Sequence, residues 1–140
     1  MTVVSNRIVV NADPRRCFDV VADFSNYPRF LGDHEEAVVL DHTDEVVVVR
    51  FALRLIKRFQ FTVRHHLEPC RRISWEHLDG PFQLCRGEWR FEIAPTGTLI
   101  HYQIELEPGF FIPRLIADKL IQVSIPATLK AFKQEIEINA

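Results

Sequence analysis

Three polar side chains sit where an alternating pattern calls for apolar ones. A histidine takes one such position in Phe59, Phe61, Val63, His65, Leu67, and another does so in Ile73, Trp75, His77. A tyrosine does so in Ile100, Tyr102, Ile104, Leu106. If these segments are strands, alternate residues share a face, so His65, His77 and Tyr102 point into whatever that face buries. Counting back from the intervening turns sets His65, Trp75 and Cys85 roughly side by side on three neighbouring strands, and Trp89 near Tyr102. Three readings are open. An imidazole and a phenol in an apolar pocket orient a bound molecule by hydrogen bonds. The same groups can position a carbonyl or carry a proton. Alternatively they are core residues satisfied by the backbone.

Other chemistries find little support. His65, His77 and Cys85 are zinc-ligand types, but no close-spaced ligand pair accompanies them and Trp75 falls between His65 and Cys85, so no metal site is expected. His34 and His42 read as surface residues. There is no Gly-x-Ser-x-Gly elbow. The 5 glycines are scattered singly, which rules out a phosphate-cradling loop. No cofactor is expected. The 3 cysteines, Cys17, Cys70 and Cys85, form neither a disulfide framework nor a metal pair and read as structural thiols of a reduced, cytoplasmic protein. A formal charge of −2 argues against nucleic-acid binding driven by bulk electrostatics. The N-terminus lacks a basic-then-apolar signal pattern, and no run approaches the ~18 apolar residues of a membrane span.

The elements that would position these residues follow from periodicity. Ser5 to Asn11 reads as a first strand. Asp13 and Pro14 open a helix as cap and first residue, and Cys17, Phe18, Val21 and Ala22 recur at helical spacing. Ser25 to Leu31, limited by Pro28, reads as a second short helix or a bent connection. From about 36 to 108 the period is two, with Val47, Val49, Phe51, Leu53 and Leu55 the longest apolar set. Turns at Glu68-Pro69-Cys70, Asp79-Gly80-Pro81 and Pro95-Thr96-Gly97 suit an antiparallel meander. A final amphipathic helix follows Pro113, with Ile112, Leu115, Ile116, Leu120 and Val123 in one stripe, continued by Leu129, Phe132 and Ile136. Pro126 is expected to kink or restart it, with Ser124 as a possible cap.

Two separated motifs carry a resemblance. Val21-Ala22-Asp23-Phe24-Ser25-Asn26-Tyr27-Pro28-Arg29-Phe30-Leu31 is one; Gly80-Pro81-Phe82, Gly87-Glu88-Trp89-Arg90-Phe91 and Gly97-Thr98 make the other. Together they resemble the polyketide cyclase/dehydrase and ubiquinone-binding branch of the START-like, helix-grip superfamily. The resemblance implies one domain over residues 1–140 with an α+β, birch-pollen-allergen-like fold. A curved antiparallel sheet of about seven strands would wrap a long C-terminal helix, with two short helices after the first strand. It also implies an apolar cavity between sheet and helix, entered beside Tyr27, Pro28, Phe30 and Leu31 and lined by Gly87, Trp89 and Phe91, under a lid at residues 112–137.

The resulting expectation is a carrier or chaperone of a hydrophobic small molecule: a polyketide, a quinone or a lipid. Phe51, Phe61, Trp75, Trp89, Ile104, Ile116, Leu120 and Val123 would be its walls, and His65, His77 and Tyr102 its polar contacts. A ligand site of ~300–1,000 Å³ is the expected size. The alternative is a polyketide aromatase/cyclase using His65, His77 or Tyr102 as acid or base. A second is a ribosome- or protein-interaction module using Arg54, Lys57 and Arg58, which otherwise read as a solvated face. Phe110, Phe111 and Ile112 could form an apolar rim near the entrance and make transient membrane contact. A monomer or weak homodimer is expected.

Overall fold

The computed structural model describes residues 2–138. Seven strands form one antiparallel sheet: β1 (Thr2–Val10), β2 (His34–Thr43), β3 (Val46–Leu55), β4 (Lys57–Glu68), β5 (Arg72–Asp79), β6 (Phe82–Ala94) and β7 (Gly97–Pro108). The order across the sheet is β1-β7-β6-β5-β4-β3-β2. The strands β2 to β7 thus form a meander, and β1 closes beside β7. Between β1 and β2 run α1 (Pro14–Ala22), a 3₁₀ turn (Phe24–Asn26) and α2 (Tyr27–Phe30). The chain ends in α3 (Arg114–Lys119), a π-helical turn (Leu120–Ser124) and α4 (Ile125–Glu137). This is the expected α+β helix-grip arrangement.

Alternation decides which face of the sheet is dry. Val47, Val49, Phe51, Leu53 and Leu55 of β3 are buried, and they meet Phe59, Phe61, Val63 and His65 of β4 through an unbroken register. The pairs Val49–Val63, Phe51–Phe61 and Leu53–Phe59 lie directly opposite one another. Such aromatic and β-branched cross-strand pairs are the unit that stabilises a sheet. The expected neighbours His65 and Trp75 are paired, and so are Trp89 and Tyr102. Cys85 is not in that first row: Trp75 pairs with Gly87, and Cys85 pairs with Leu106.

The helices attach through their ends as well as their faces. Asp13 caps α1 by accepting the Arg16 N–H at 2.9 Å, with Pro14 at the first helical position. The Arg16 guanidinium donates to the carbonyls of Glu135, Ile136 and Ile138 at the end of α4. Those are the acceptors that a helix C-terminus leaves open. Leu129, Phe132 and Ile136 turn the buried stripe of α4 to the sheet.

The π-turn explains two departures from the sequence pattern. Pro126 has no N–H to return to the preceding turn, and its ring crowds that turn. The helix widens instead of breaking, and the Ile125 N–H reaches back five residues to the Leu120 carbonyl. The extra residue shifts the helical phase. Val123 is therefore turned out, 57% exposed, and Ser124 is turned in. Ser124 is helical and makes no capping bond.

Gly87 lies where two strands leave no room for a side chain. A Cβ there would stand 2.4 Å from the Gln103 carbonyl oxygen and 2.7 Å from the Trp75 ring. Gly87→Ala is expected to cost about 1–3 kcal/mol through overpacking, a fall in Tm of roughly 3–9 °C at this chain length. Thermal unfolding followed by circular dichroism measures it; an unchanged Tm would mean that Trp75 does not lie against this glycine.

Candidate functional site

Between the concave sheet face and the C-terminal helix lies a cavity of about 120 Å³. Tyr27 and Leu31 come to it from the α2 region, His34 from the start of β2, and Phe51, Phe61, His65, Trp75, Trp89, Tyr102 and Ile104 from the sheet. Leu120, Ser124, Ile125, Thr128 and Phe132 close it from the helix. Its volume is well under the expected ~300–1,000 Å³ of a ligand site. Aromatic side chains occupy the difference. Tyr27 stacks on Phe51 with ring centroids 5.7 Å apart, and Phe132 meets Trp89 edge-on at 5.0 Å.

Most of the anticipated wall is brought together, and some of it is not. Phe51, Phe61, His65, Trp75, Trp89, Tyr102, Ile104 and Leu120 all line the cavity. Ile116 is buried but lies off the cavity, and Val123 faces outward because of the π-turn. His77 is also off the cavity. The β5–β6 pairing ends at Glu76–Arg86, and just beyond it the His77 Nδ1 accepts the Cys85 N–H at 3.0 Å, extending the ladder with a side chain. Among the entrance residues, Tyr27 and Leu31 reach the cavity, while Pro28 does not. Phe30 packs on the far edge of Phe132 at 5.2 Å. Phe110 and Phe111 are 96% and 73% exposed and stand apart from the cavity wall. The Lys57 ammonium reaches the Phe111 carbonyl at 3.5 Å. Arg54 and Arg58 are engaged by Glu35, and Arg58 also by Glu36, so the expected basic patch is largely neutralised.

The polar groups of the cavity have restricted roles. The His65 ring stacks on Phe24 with centroids 3.9 Å apart, and its Nδ1 lies 3.3 Å from the Val47 carbonyl. A carbonyl only accepts, so Nδ1 carries the proton and Nε2 is left as an acceptor. Burial favours the neutral ring and lowers its pKa to about 3, against the opposing pull of the Val47 hydrogen bond. Burial likewise pushes the Cys85 thiol up to about 12 and raises the Tyr102 phenol above its ordinary value. His65 is a poor base here, and Tyr102 and Cys85 are poor acids.

Two polar residues went unrecognised in the sequence. His34, read there as a surface residue, lines the cavity, with its ring 5.9 Å from Tyr27 and 5.8 Å from Phe51. Its Nδ1 lies 2.9 Å from Asp33 Oδ1, and the Ser124 hydroxyl donates to Asp33 Oδ2. Burial acts to raise the Asp33 pKa, but the hydrogen bonds from His34 and Ser124 outweigh it and hold the carboxyl below the ordinary aspartate value. Outside Leu31, Ser124 and Thr128 lies a second hollow of about 280 Å³, which Asp33 and Arg54 also line. These three residues line both hollows and form the partition between them. Among the described residues, no group of three or more His, Cys, Asp or Glu side chains could hold a metal ion. No helix among them is long and apolar enough to cross a membrane.

The sequence profile of the polyketide cyclase/dehydrase and lipid transport family matches residues 10–133. The chain belongs to that family. An aromatase/cyclase from Streptomyces sp. R1128 superposes with a TM-score of 0.88 at 20% identity, over 97% of this chain and 93% of that one. A START superfamily protein from Mycobacterium smegmatis gives 0.83 at 17% identity, over 99% of each chain. At these identities the likeness is one of fold. The ribosome association toxin RatA of Vibrio cholerae is 29% identical over 92 residues, 65% of this chain and 64% of that protein. The chain thus spans just under two thirds of that relative's length.

The buried neutral His65 has a signature in stability. The unfolded ring titrates at about 6.5, the folded ring at about 3. Between those values the unfolded state binds a proton that the folded state refuses. Stability is therefore complete above pH 6.5 and falls by about 1.4 kcal/mol per pH unit below it. Urea unfolding at pH 7 and pH 5 should show the protein about 2 kcal/mol weaker at pH 5 from this group. His65→Gln should lose that part of the dependence, whereas an equal loss in both proteins would show that the ring is not buried neutral.

Proposed function

We propose that this protein binds a hydrophobic small molecule in the cavity and acts as a carrier rather than an enzyme. The observation that carries the reading is a space walled mainly by aromatic and aliphatic side chains, with a few hydrogen-bonding groups among them. The size of that space supports a particular mode of binding. An apolar cavity of about 150 Å³ holds a benzene molecule, so a cavity of about 120 Å³ suits one six-membered ring. A polyketide, a prenylated quinone or a lipid would place one ring or a chain end here and extend through the Leu31–Ser124–Thr128 partition. Catalysis by the residues first considered is disfavoured. His65 is too weak a base, Tyr102 holds its proton, and His77 is engaged by the backbone away from the cavity. The three free thiols suit the cytoplasm. Phe110 and Phe111, with Lys57 beside them, offer a membrane contact for loading.

Native mass spectrometry of the purified protein, followed by organic extraction, tests the carrier reading; a co-purifying aromatic or lipid mass is expected. Val63 also lines the cavity, and Val63→Phe supplies the control. It should fill the cavity, abolish the bound mass and keep or slightly raise the Tm, by the ~0.5–2 kcal/mol typical of cavity filling. Retention of the same ligand in that variant would place binding elsewhere. Flotation with anionic liposomes addresses loading: the parent should float, and a Phe110→Ser/Phe111→Ser double variant should not.

A further inference from the structure

We propose that the Asp33–His34 pair is a recognition site for a hydroxyl donor, so that the cavity prefers a phenolic ring to one bearing only carbonyl or ether oxygens. This rests on the reading of the cavity as a ligand site and names the chemistry of its occupant. The argument begins with tautomers. An ionised carboxylate accepts hydrogen bonds and cannot donate them. His34 Nδ1, 2.9 Å from Asp33 Oδ1, therefore carries a proton, and in the neutral ring Nε2 is the acceptor. Among the described residues no protein donor meets His34 Nε2 or His65 Nε2, and no fully buried nitrogen or oxygen there lacks a partner. Both nitrogens are thus reachable by a solvent-sized probe, and both residues line the cavity.

Both residues line the same small space, and in its neutral form each ring has one acceptor nitrogen to offer a ligand. A carbonyl oxygen set against either would face lone pair with lone pair. A hydroxyl completes the hydrogen bond. Of the two, His34 is the stronger acceptor. The Asp33 carboxylate polarises its ring through Nδ1, as chains of hydrogen bonds reinforce one another in a low-dielectric site. His65 has only a neutral carbonyl behind it. Asp33 is a positioning residue, held in turn by the Ser124 hydroxyl from the helix. The surrounding Tyr27 and Phe51 rings favour a flat aromatic partner.

Titration calorimetry with toluene, anisole and phenol tests this on the parent, His34→Phe and Asp33→Asn. The parent should bind phenol about three- to tenfold more tightly than anisole, the worth of one net hydrogen bond. His34→Phe should reduce that ratio to about one whatever its absolute affinity for toluene, and circular dichroism shows that the variant is folded. Asp33→Asn should reduce the ratio in part. In the parent, the His34 Nε2 nitrogen resonance should move on adding phenol and stay put with anisole. Toluene binding without a phenol preference, or a preference that survives His34→Phe, overturns the proposal and leaves the cavity reading standing. Failure of all three rings to bind the parent overturns both.

Discussion

Phe132 is the point on which the architecture depends. It is buried at the middle of α4 and meets Trp89 of the sheet at 5.0 Å, Tyr27 at 5.2 Å and Phe30 at 5.2 Å. One ring therefore joins the helix to the sheet and to the α2 segment. A seven-stranded curved sheet offers more concave surface than one helix can cover, and this aromatic junction decides where the shortfall falls. Towards the helix C-terminus Ile136 is fully buried. On the other side, towards the π-turn, the helix face carries Thr128, Ser124 and Leu120, and these smaller or shorter side chains leave the cavity open. The Tyr27 hydroxyl donates to the Val21 carbonyl, which fixes the ring where it serves both as junction and as wall.

Several polar groups near the cavity are held by protein partners. A buried polar atom without a partner costs about 1–3 kcal/mol, and among the described residues no fully buried one is left in that state. His65 gives its proton to Val47, His77 takes one from Cys85, and Asp33 receives both His34 and Ser124. These commitments separate the residues that can meet a ligand from those that cannot. His77 has spent its Nδ1 on the sheet ladder. His34 and His65 have each spent only Nδ1, and both rings line the cavity.

Much of this was legible in the sequence because the stretches of β3, β4, β6 and β7 that line the cavity alternate. Phe51, Phe61, His65, Trp89 and Ile104 could be assigned to one face by parity alone, and the Trp89–Tyr102 pairing followed from the turn at Pro95-Thr96-Gly97. His34 was hidden by a bulge. The β2–β3 register shifts between His34 and Glu36, so His34 opposite Leu53 and Ala37 opposite Phe51 share the inner face although three residues separate them. Parity fails across such an insertion, and a histidine beside Asp33, Glu35 and Glu36 looks solvated. Val123 was misplaced for the helical version of the same reason. The π-turn adds a residue to the helix as the bulge does to the strand, and neither leaves a mark in a periodic pattern. The cavity itself is not a pattern at all; it is the volume that side chains fail to fill, and the motifs of Tyr27-Pro28 and Gly87-Glu88-Trp89 pointed to it only by resemblance.

The bulge and the π-turn meet at one place. The bulge turns His34 inward and leaves Asp33 at the partition; the π-turn brings Ser124 inward to the same carboxylate. Without the extra helical residue, Ser124 would not face Asp33, and Val123 would sit in the wall in its stead. The partition would then be apolar, and His34 would lose the tether that holds its carboxylate partner. Irregularities of this kind weaken an element's own hydrogen bonding and survive where the surroundings over-determine them. Here two of them, on elements 91 residues apart in sequence, converge on a single hydrogen bond between sheet and helix. That bond spans the boundary between the cavity and the outer hollow. On the proposed reading, a ligand longer than one ring would pass the same boundary, and the groups that hold His34 would then stand at the exit.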